Sequence, residues 1–379
     1  MAQLADAGKR KTRKWLAVAL FTLVIFATLP FGPAIRNFLT EHFGKWFVIW
    51  FVGISLLAGV VTIFAAVLRR ERKFSVIRFL WLLLIVFLYW QFLKRTFRVP
   101  IESVHFIEYG ILSVLAYRAL RESYAETWIF VLAIVFTYTV GIADELIQWA
   151  LPNRVAEIRD VLFNAVSGVL AQIFLWKVVV PPGLTKGLPA RSFRPAVWLA
   201  AFNIVITGSF LELVNGFGHR TVDPDVGSFF SRMTPEEILE IDRTRGHEQA
   251  AVLDSAYDGS YDEFLRATSD PFLYEMRVHL FRRDSHFEKG SHRVACCEQK
   301  LLEKYFTTTL ENSRYGWRKG EEKICREQEN DCARYRSPVS QEIIVRFERV
   351  HLWTFVSVVS GFLFVLGTGR RFHGAVEGS

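Results

Sequence analysis

The sequence predicts an all-α, polytopic transmembrane helix bundle of about eight spans, with an inserted extracytoplasmic domain that is mostly helical. Three observations predict it. Hydrophobic residues make up 51% of the 379 and come in blocks; runs of about 20 match a hydrocarbon core about 30 Å thick. Basic residues crowd alternate segments between those blocks, as the cytoplasmic loops of membrane proteins do. All four cysteines fall in one stretch that the alternation places outside the cytoplasm, where disulfides persist.

The first apolar run, 15–33, follows Lys9, Arg10, Lys11, Arg13 and Lys14. A secretory signal would have a shorter apolar core and a small-residue cleavage site, so an uncleaved helix is expected. Runs at 46–68 and 75–93 follow, then a weaker one at 103–120, interrupted by His105 and Glu108. Further runs lie at 127–147, 160–180 and 196–214, the last holding Asn203 and Glu212. The final run is 350–368. These define a six-helix unit over 1–180, a cytoplasmic linker rich in Pro and Gly at 181–195, a seventh helix at 196–215, a cap domain at 216–348, and an eighth helix with a short tail at 349–379.

With the N-terminus cytoplasmic, the inner segments hold Lys9 to Lys14, Arg69, Arg70, Arg72, Lys73, Arg78, Arg118, Arg121, Lys177, Lys186, Arg191, Arg194, Arg370 and Arg371. The short outer segments hold fewer: Arg36, Lys45, Lys94, Arg95, Arg98, Arg154 and Arg159. Both termini are then cytoplasmic and residues 216–348 lie outside. Trp15, Trp46, Trp149, Trp176, Trp198 and Trp353 sit near span ends, where an amphipathic ring prefers to lie. The +8 net charge is largely this topology signal, and no nucleic-acid partner is needed to explain it.

In the cap, "TPEEILEIDR" has a capping-box start, with Thr234 as N-cap, Pro235 next and Glu237 three residues past the cap. "SDPFLYEMRVHLF" repeats the logic with Asp270 and Pro271. Further helices are expected over about 296–312 and 318–333. Cys296 and Cys297 are expected to bridge to Cys325 and Cys332, because a vicinal bridge is strained. The spacing fits no familiar zinc signature, and His247, His279, His286 and His292 read as scattered core or surface residues.

The chemistry concentrates elsewhere. Asp144, Glu145 and Gln148 share one face near the outer end of the fifth span. Asp160 and Asn164, four apart, occupy the outer end of the sixth, and Ser167 and Gly168 continue their stripe. Glu102, His105 and Tyr109 stripe the outer end of the fourth, with Glu108 beside them, and Arg154 and Arg159 lie in the turn between the fifth and sixth. An ionised side chain deep in a span costs roughly 2.5–3.5 kcal/mol, so these groups are expected to face one another in a pocket open to the outside. The rival is a purely structural network, although interhelical hydrogen bonds in membranes contribute only about 0.6 kcal/mol each on average.

The order E-x-x-H-F-x-E-Y at 102–109, D-E-x-x-Q at 144–148, Arg154, and D-x-x-x-N-x-x-x-G at 160–168 resembles the VanZ-like family of bacterial membrane proteins over roughly residues 75–180. Family members often carry Lys three residues before the histidine; here that residue is Glu102. The resemblance implies a bacterial cytoplasmic membrane location and a link with resistance to glycopeptide antibiotics of the teicoplanin kind, and no established reaction.

Three functions fit such a pocket. In the first it binds or modifies a cell-envelope molecule, a lipid-linked precursor or an anionic lipid head group, with Arg154, Arg159, Gln148, Asn164, Asp144 and Tyr109 as contacts. In the second it is catalytic: His105 is general base, Glu102, Glu108 or Glu145 orients it, and Asp160 activates water or holds a divalent cation. No HExxH, Gly-rich phosphate loop or serine elbow names a hydrolase, and no cofactor or metal ligand set is assigned. In the third the carboxylates relay protons for transport, but charges gathered at one face and the lack of an inverted repeat argue against it. The partners expected are membrane lipids.

Overall fold

A computed structural model of the chain describes residues 2–70, 75–95, 104–124, 126–151, 156, 158–180, 192–255, 270–317, 320–327, 331–337 and 343–368. Most of the expected linker, 181–191, and the tail from 369 onward lie outside the described residues. The chain divides into two units, residues 1–214 with 353–379, and residues 215–352.

The first unit holds α1 (Ala2–Thr28), α2 (Gly32–Phe43), α3 (Lys45–Arg70), α4 (Val76–Arg95), α5 (Val104–Leu120), α6 (Trp128–Ala150), α7 (Ile158–Phe174) and α8 (Phe193–Leu213). α7 continues into a π turn, Leu175–Val179. The helical form follows from the medium: lipid offers backbone amides no partner, so each segment must satisfy its own. Long apolar side chains on α1, α3 and α4, such as Leu23, Ile54 and Ile77, stand exposed, as lipid-facing residues do.

Contacts fix the helix directions. Leu93 of α4 lies against Gly53 of α3, and along α5 Tyr89 meets Gly110 while Phe92 meets Phe106, so α4 runs antiparallel to α5. Tyr109 meets Asp144 and Tyr117 meets Phe130, while Gly141 meets Asn164 and Thr137 meets Gly168, so α6 runs antiparallel to both α5 and α7. Asn203 donates to the Val135 carbonyl at 3.0 Å and Tyr138 bonds Thr207 at 2.7 Å, so α8 runs parallel to α6. Chain direction therefore reverses at each step from α4 to α7.

Among the described residues six helices are long and apolar enough to cross a membrane: Gly8–Phe31, Val76–Lys94, Trp128–Ala150, Ile158–Val179, Phe193–Leu213 and Arg349–Thr368. Asn37–Phe43 and Trp46–Thr62 make a seventh if they are one span, bent by 96°. The sequence did not announce that bend; it sits at Gly44, whose φ of +78° suits glycine. α5, at 17 residues, corresponds to the weaker run at 103–120 and reverses direction as its neighbours do.

The second unit contains β1 (Gly216–Phe217), β2 (His219–Asp223), β3 (Gly227–Ser231), α9 (Pro235–Ser255), α10 (Pro271–Glu288), α11 (His292–Tyr305), α12 (Thr307–Glu311), α13 (Glu321–Glu327) and β4 (Ile343–Ile344); α14 (Arg349–Thr368) follows. The capping box forms: Thr234 N donates to Glu237 Oε2 at 2.7 Å, and Glu237 N to Thr234 Oγ1 at 3.2 Å. Asp270 accepts from Phe272 N at 2.9 Å. α9 to α12 close around Ile238, Phe272, Met276, Leu280, Leu301 and Phe306, all fully buried.

Three features depart from expectation. The helix expected over 296–312 breaks at Phe306, which is buried against Phe272 with ring centres 4.9 Å apart. α12 then restarts because Asp242 of α9 accepts from Thr308 N at 2.7 Å and Thr309 N at 2.9 Å, a cap from distant sequence. The helix expected over 318–333 is confined to Glu321–Glu327 among the described residues. A β2–β3 hairpin also appears, its turn held by Asp223, which accepts from Asp225 N at 2.9 Å and Val226 N at 3.2 Å. The short parallel pair β1–β4 joins the two ends of this unit.

The disulfides are Cys296–Cys325 and Cys297–Cys332, as the exclusion of a vicinal bridge requires. Beside them Glu298, fully buried, accepts from Arg282 Nε at 2.7 Å, Tyr335 OH at 2.5 Å and Ser337 Oγ at 2.8 Å, and bonds His279 Nδ1 at 2.7 Å. Burial alone would push this carboxyl up, but the His279 charge and the hydrogen bonds outweigh it and hold it at about 2. The 331–337 segment also reaches β3: Ser228 N donates to Tyr335 O and Ser337 N to Ser228 O, each at 2.8 Å. Gly227, φ +88°, makes this approach possible, since a Cβ there would stand 2.2 Å from Tyr335 O. Gly227→Val is expected to prevent closure, the strained backbone alone costing about 1–3 kcal/mol. The readout is alkylation of cysteines that are unreactive in the wild-type chain.

Candidate functional site

Three helices of the first unit bring their polar stripes to one end of the bundle. α5 contributes His105, Glu108 and Tyr109 from its first turns, α6 contributes Asp144, Glu145 and Gln148 from its last, and α7 contributes Asp160 and Asn164 from its first. Because α6 opposes the other two, its C-terminal turns lie beside their N-terminal turns. Tyr109 OH donates to Asp144 Oδ2 at 2.6 Å. Gln148 Nε2 donates to Glu145 Oε1 at 2.9 Å and to Asp144 Oδ1 at 3.4 Å. His105 Nδ1 stands 3.6 Å from Glu108 Oε2, an ionic contact rather than a hydrogen bond. Its ring lies 6.1 Å from that of Tyr109.

Tyr109, Asp144, Glu145, Gln148 and Asn164 are at most 1% exposed. Asn164 is packed where a Cβ on Gly141 would meet it at 3.1 Å and Tyr109 at 3.4 Å. Neither its carbonyl nor its amino group has a partner among the described residues. A buried polar group left in that state costs about 1–3 kcal/mol. Side chains present only to lock helices would be paired, so Asn164 marks the part of the cluster that packing explains least.

Beneath the cluster the same stripes continue in a manner the motif reading missed. Ser167 Oγ donates to the Phe106 carbonyl at 2.7 Å, Ser113 Oγ to the Gly168 carbonyl at 3.2 Å, and Gln172 Nε2 to both Ser113 O and Ser113 Oγ at 2.8 Å. The signal was legible: Ser113 stands four residues beyond Tyr109, and Gln172 four beyond Gly168. Gly168 lets α7 approach Thr137, whose Cγ2 would stand 3.0 Å from a Cβ there. In this lower layer Ser167, Ser113 and the Gln172 amino group are paired, while the Gln172 carbonyl oxygen has no partner among the described residues, and the layer holds the helices at the distance the upper cluster needs.

The other predicted residues divide. Asp160 is mostly buried in the first turn of α7, where the helix N-terminus favours an anion. Arg159, half exposed, has Nε 3.8 Å from Asp160 Oδ1 and its guanidinium 5.9 Å from the Phe163 ring centre. It lies at the rim. Glu102 and Arg154 lie outside the described residues, as does Glu157. Among the described residues no three His, Cys, Asp or Glu side chains are grouped to hold a metal ion.

Apolar helices of spanning length, alternating in direction around a buried polar cluster, define a multi-pass membrane protein. Residues 9–180 match the model of the VanZ/LLP1 family, so the chain carries a VanZ-like region that includes the whole cluster. The match begins at residue 9 and takes in α1 to α3, ahead of the motifs at 102–168 that carried the resemblance. No curated protein and no solved structure matches the chain.

Proposed function

We propose that the α5–α6–α7 cluster is a binding site for the polar head of a cell-envelope lipid, entered from the extracytoplasmic side of a bacterial inner membrane. The observation that carries the reading is Asn164, buried with both amide atoms unpartnered among the described residues, beside Tyr109, Asp144, Glu145 and Gln148. Such a set suits a ligand rich in hydroxyl or amide groups, while Arg159 at the rim, with Arg154 from the sequence, suits its phosphate. The sidedness rests on the basic-residue asymmetry and on the disulfide-bonded unit.

The test is lipid retention. The full chain, purified in mild detergent from a bacterial membrane, is expected to keep a phosphate-bearing lipid detectable by mass spectrometry. Arg154→Ala is expected to lower its occupancy at least about tenfold, equivalent to about 1.4 kcal/mol. Equal lipid content in the two preparations would remove the reading. A link with teicoplanin resistance is the physiological form of the same proposal, read as a change in susceptibility when the chain is expressed.

The contact of His105 with Glu108 favours one further reading, in which the bound head group is also modified. A carboxylate beside an imidazole orients it for proton transfer. His105→Ala would then leave retention intact and abolish modification of the retained lipid. If the retained species is the same with and without His105, the site only binds.

A further inference from the structure

A second feature of the first unit lies next to the polar cluster but is entirely apolar. Between α3 and α4 runs a groove of about 400 Å³ lined by Trp46, Ile49, Trp50, Gly53, Trp90 and Leu93, among other apolar side chains. That size falls in the ~300–1,000 Å³ range of ligand sites. Its floor is built: Ile49 and Leu93 are each 5% exposed, and Gly53 supplies the depth. Its walls, Trp46, Trp50, Ile54, Leu57 and Trp90, are exposed, Trp90 on a helix of spanning length and the others on the apolar helix that follows the bend at Gly44. Tyr89 is the polar exception, and its hydroxyl is turned away toward the Ser167 carbonyl at 3.4 Å.

Two observations name the occupant. The groove offers nothing to a polar ligand and opens on helix faces that lie in hydrocarbon, so what fills it is an alkyl or isoprenoid chain. At one end stands Lys94, exposed, its Nζ 5.4 Å from the Trp90 ring centre and without an ion pair among the described residues. A cation at the mouth of an apolar slot matches an anionic head group on a hydrocarbon chain. We propose that this groove seats the chain of a membrane lipid with an anionic head group, held by Lys94.

The location gives the site its significance. A single layer, Tyr89 and Phe106 with rings 6.1 Å apart edge to face, separates the groove from α5. His105 and Tyr109 flank Phe106 in sequence, and the Phe106 carbonyl is held by Ser167. Leu93, Phe106, Val48 and Val52 form one apolar cluster, so the groove lies at the same depth as the first turn of α5. A lipid with its chain in the groove has its head at the end of the bundle where the polar cluster lies. The groove proposal extends the head-group reading but stands on its own residues.

The experiment uses the full chain in phosphatidylcholine nanodiscs doped with phosphatidic acid whose acyl chain carries a photoreactive diazirine. Crosslinks mapped by peptide sequencing are expected to concentrate in the segments 46–60 and 86–93. Excess unlabelled phosphatidic acid is expected to displace them. Gly53→Phe fills the slot, since a Cβ there meets only Leu93 at an ordinary 3.7 Å, and is expected to cut the yield at least about tenfold. Lys94→Glu is expected to lower labelling by the anionic probe and leave labelling by photoreactive phosphatidylcholine unchanged. Adducts spread evenly over α1, α3, α4 and α14, or groove adducts that excess lipid does not displace, would overturn the proposal. Displacement is measured on the wild-type chain and decides the matter even if Gly53→Phe fails to fold. Asp144→Asn is expected to leave the chain crosslinks in place, so loss of head-group binding and absence of a chain site give different results.

Discussion

Glu298→Ala is expected to destabilise the disulfide-bonded unit by about 3–5 kcal/mol, the cost typical of removing one partner from a buried ion pair. Glu298 gathers partners from separate segments: His279 and Arg282 from α10, and Tyr335 and Ser337 from the stretch that Cys332 ties to α11. Without the carboxylate, the Arg282–Glu298 ion pair is lost and the buried His279 loses its hydrogen bond to Glu298. Limited proteolysis of the full chain in detergent, followed against urea, checks it: residues 215–352 should be cut at markedly lower denaturant in the variant.

The same carboxylate makes this unit acid-sensitive. Its folded value of about 2 lies below the ordinary 4.5, so its contribution is fully present above about pH 4.5 and is lost as pH falls toward 2. A depression of that size corresponds to a contribution on the order of 3 kcal/mol. Asp223 adds to the trend. Burial would raise it, but hydrogen bonds from Lys304, Asp225, Tyr305 and Val226 hold it at about 2 against 3.8. Resistance to proteolysis is therefore expected to stay level above pH 5 and to fall between about pH 4.5 and 2. In Glu298→Gln most of that acid dependence should disappear.

In the membrane unit the largest effect is expected at Asp144. Asp144→Leu strands the Tyr109 hydroxyl and part of the Gln148 amide in a fully buried site, and should lower thermal stability in detergent by about 1–3 kcal/mol. Asp144→Asn keeps an oxygen to accept from Tyr109, so the fold should survive while the charge is lost. If the cluster binds a lipid head group, Asp144→Asn is expected to reduce the retained lipid at least about tenfold with an unchanged melting temperature. A cluster that only locks helices would instead lose stability in both variants and bind nothing in either.

The sequence made the membrane unit legible because a bilayer imposes one rule, about 20 apolar residues per crossing, on every span. Polar stripes at spacings of three and four were equally visible at 105–109, 144–148 and 160–164, and the structure does bring Tyr109 to Asp144, with Asn164 and Tyr109 both packed against Gly141. What escaped was long-range or conformational. Asp242 capping α12 from 66 residues away has no local signature. The "DPDVG" turn of the hairpin was in view, but short flanking strands in a helical domain gave it little context. Which of Cys296 and Cys297 meets Cys325 depends on the packing of α11, which no spacing encodes. The bend at Gly44 turns on one positive φ in the polar stretch between the runs 15–33 and 46–68, which reads as a simple connection.

The most direct test of a polar cluster open to the extracytoplasmic side uses a single thiol. All four native cysteines are in disulfides, so Asp160→Cys places one reactive group in the first turn of α7, at a position about 15% exposed. An outward-facing cluster gives labelling by a membrane-impermeant maleimide added outside intact spheroplasts. Labelling only in inverted vesicles, or only after denaturation, would contradict it.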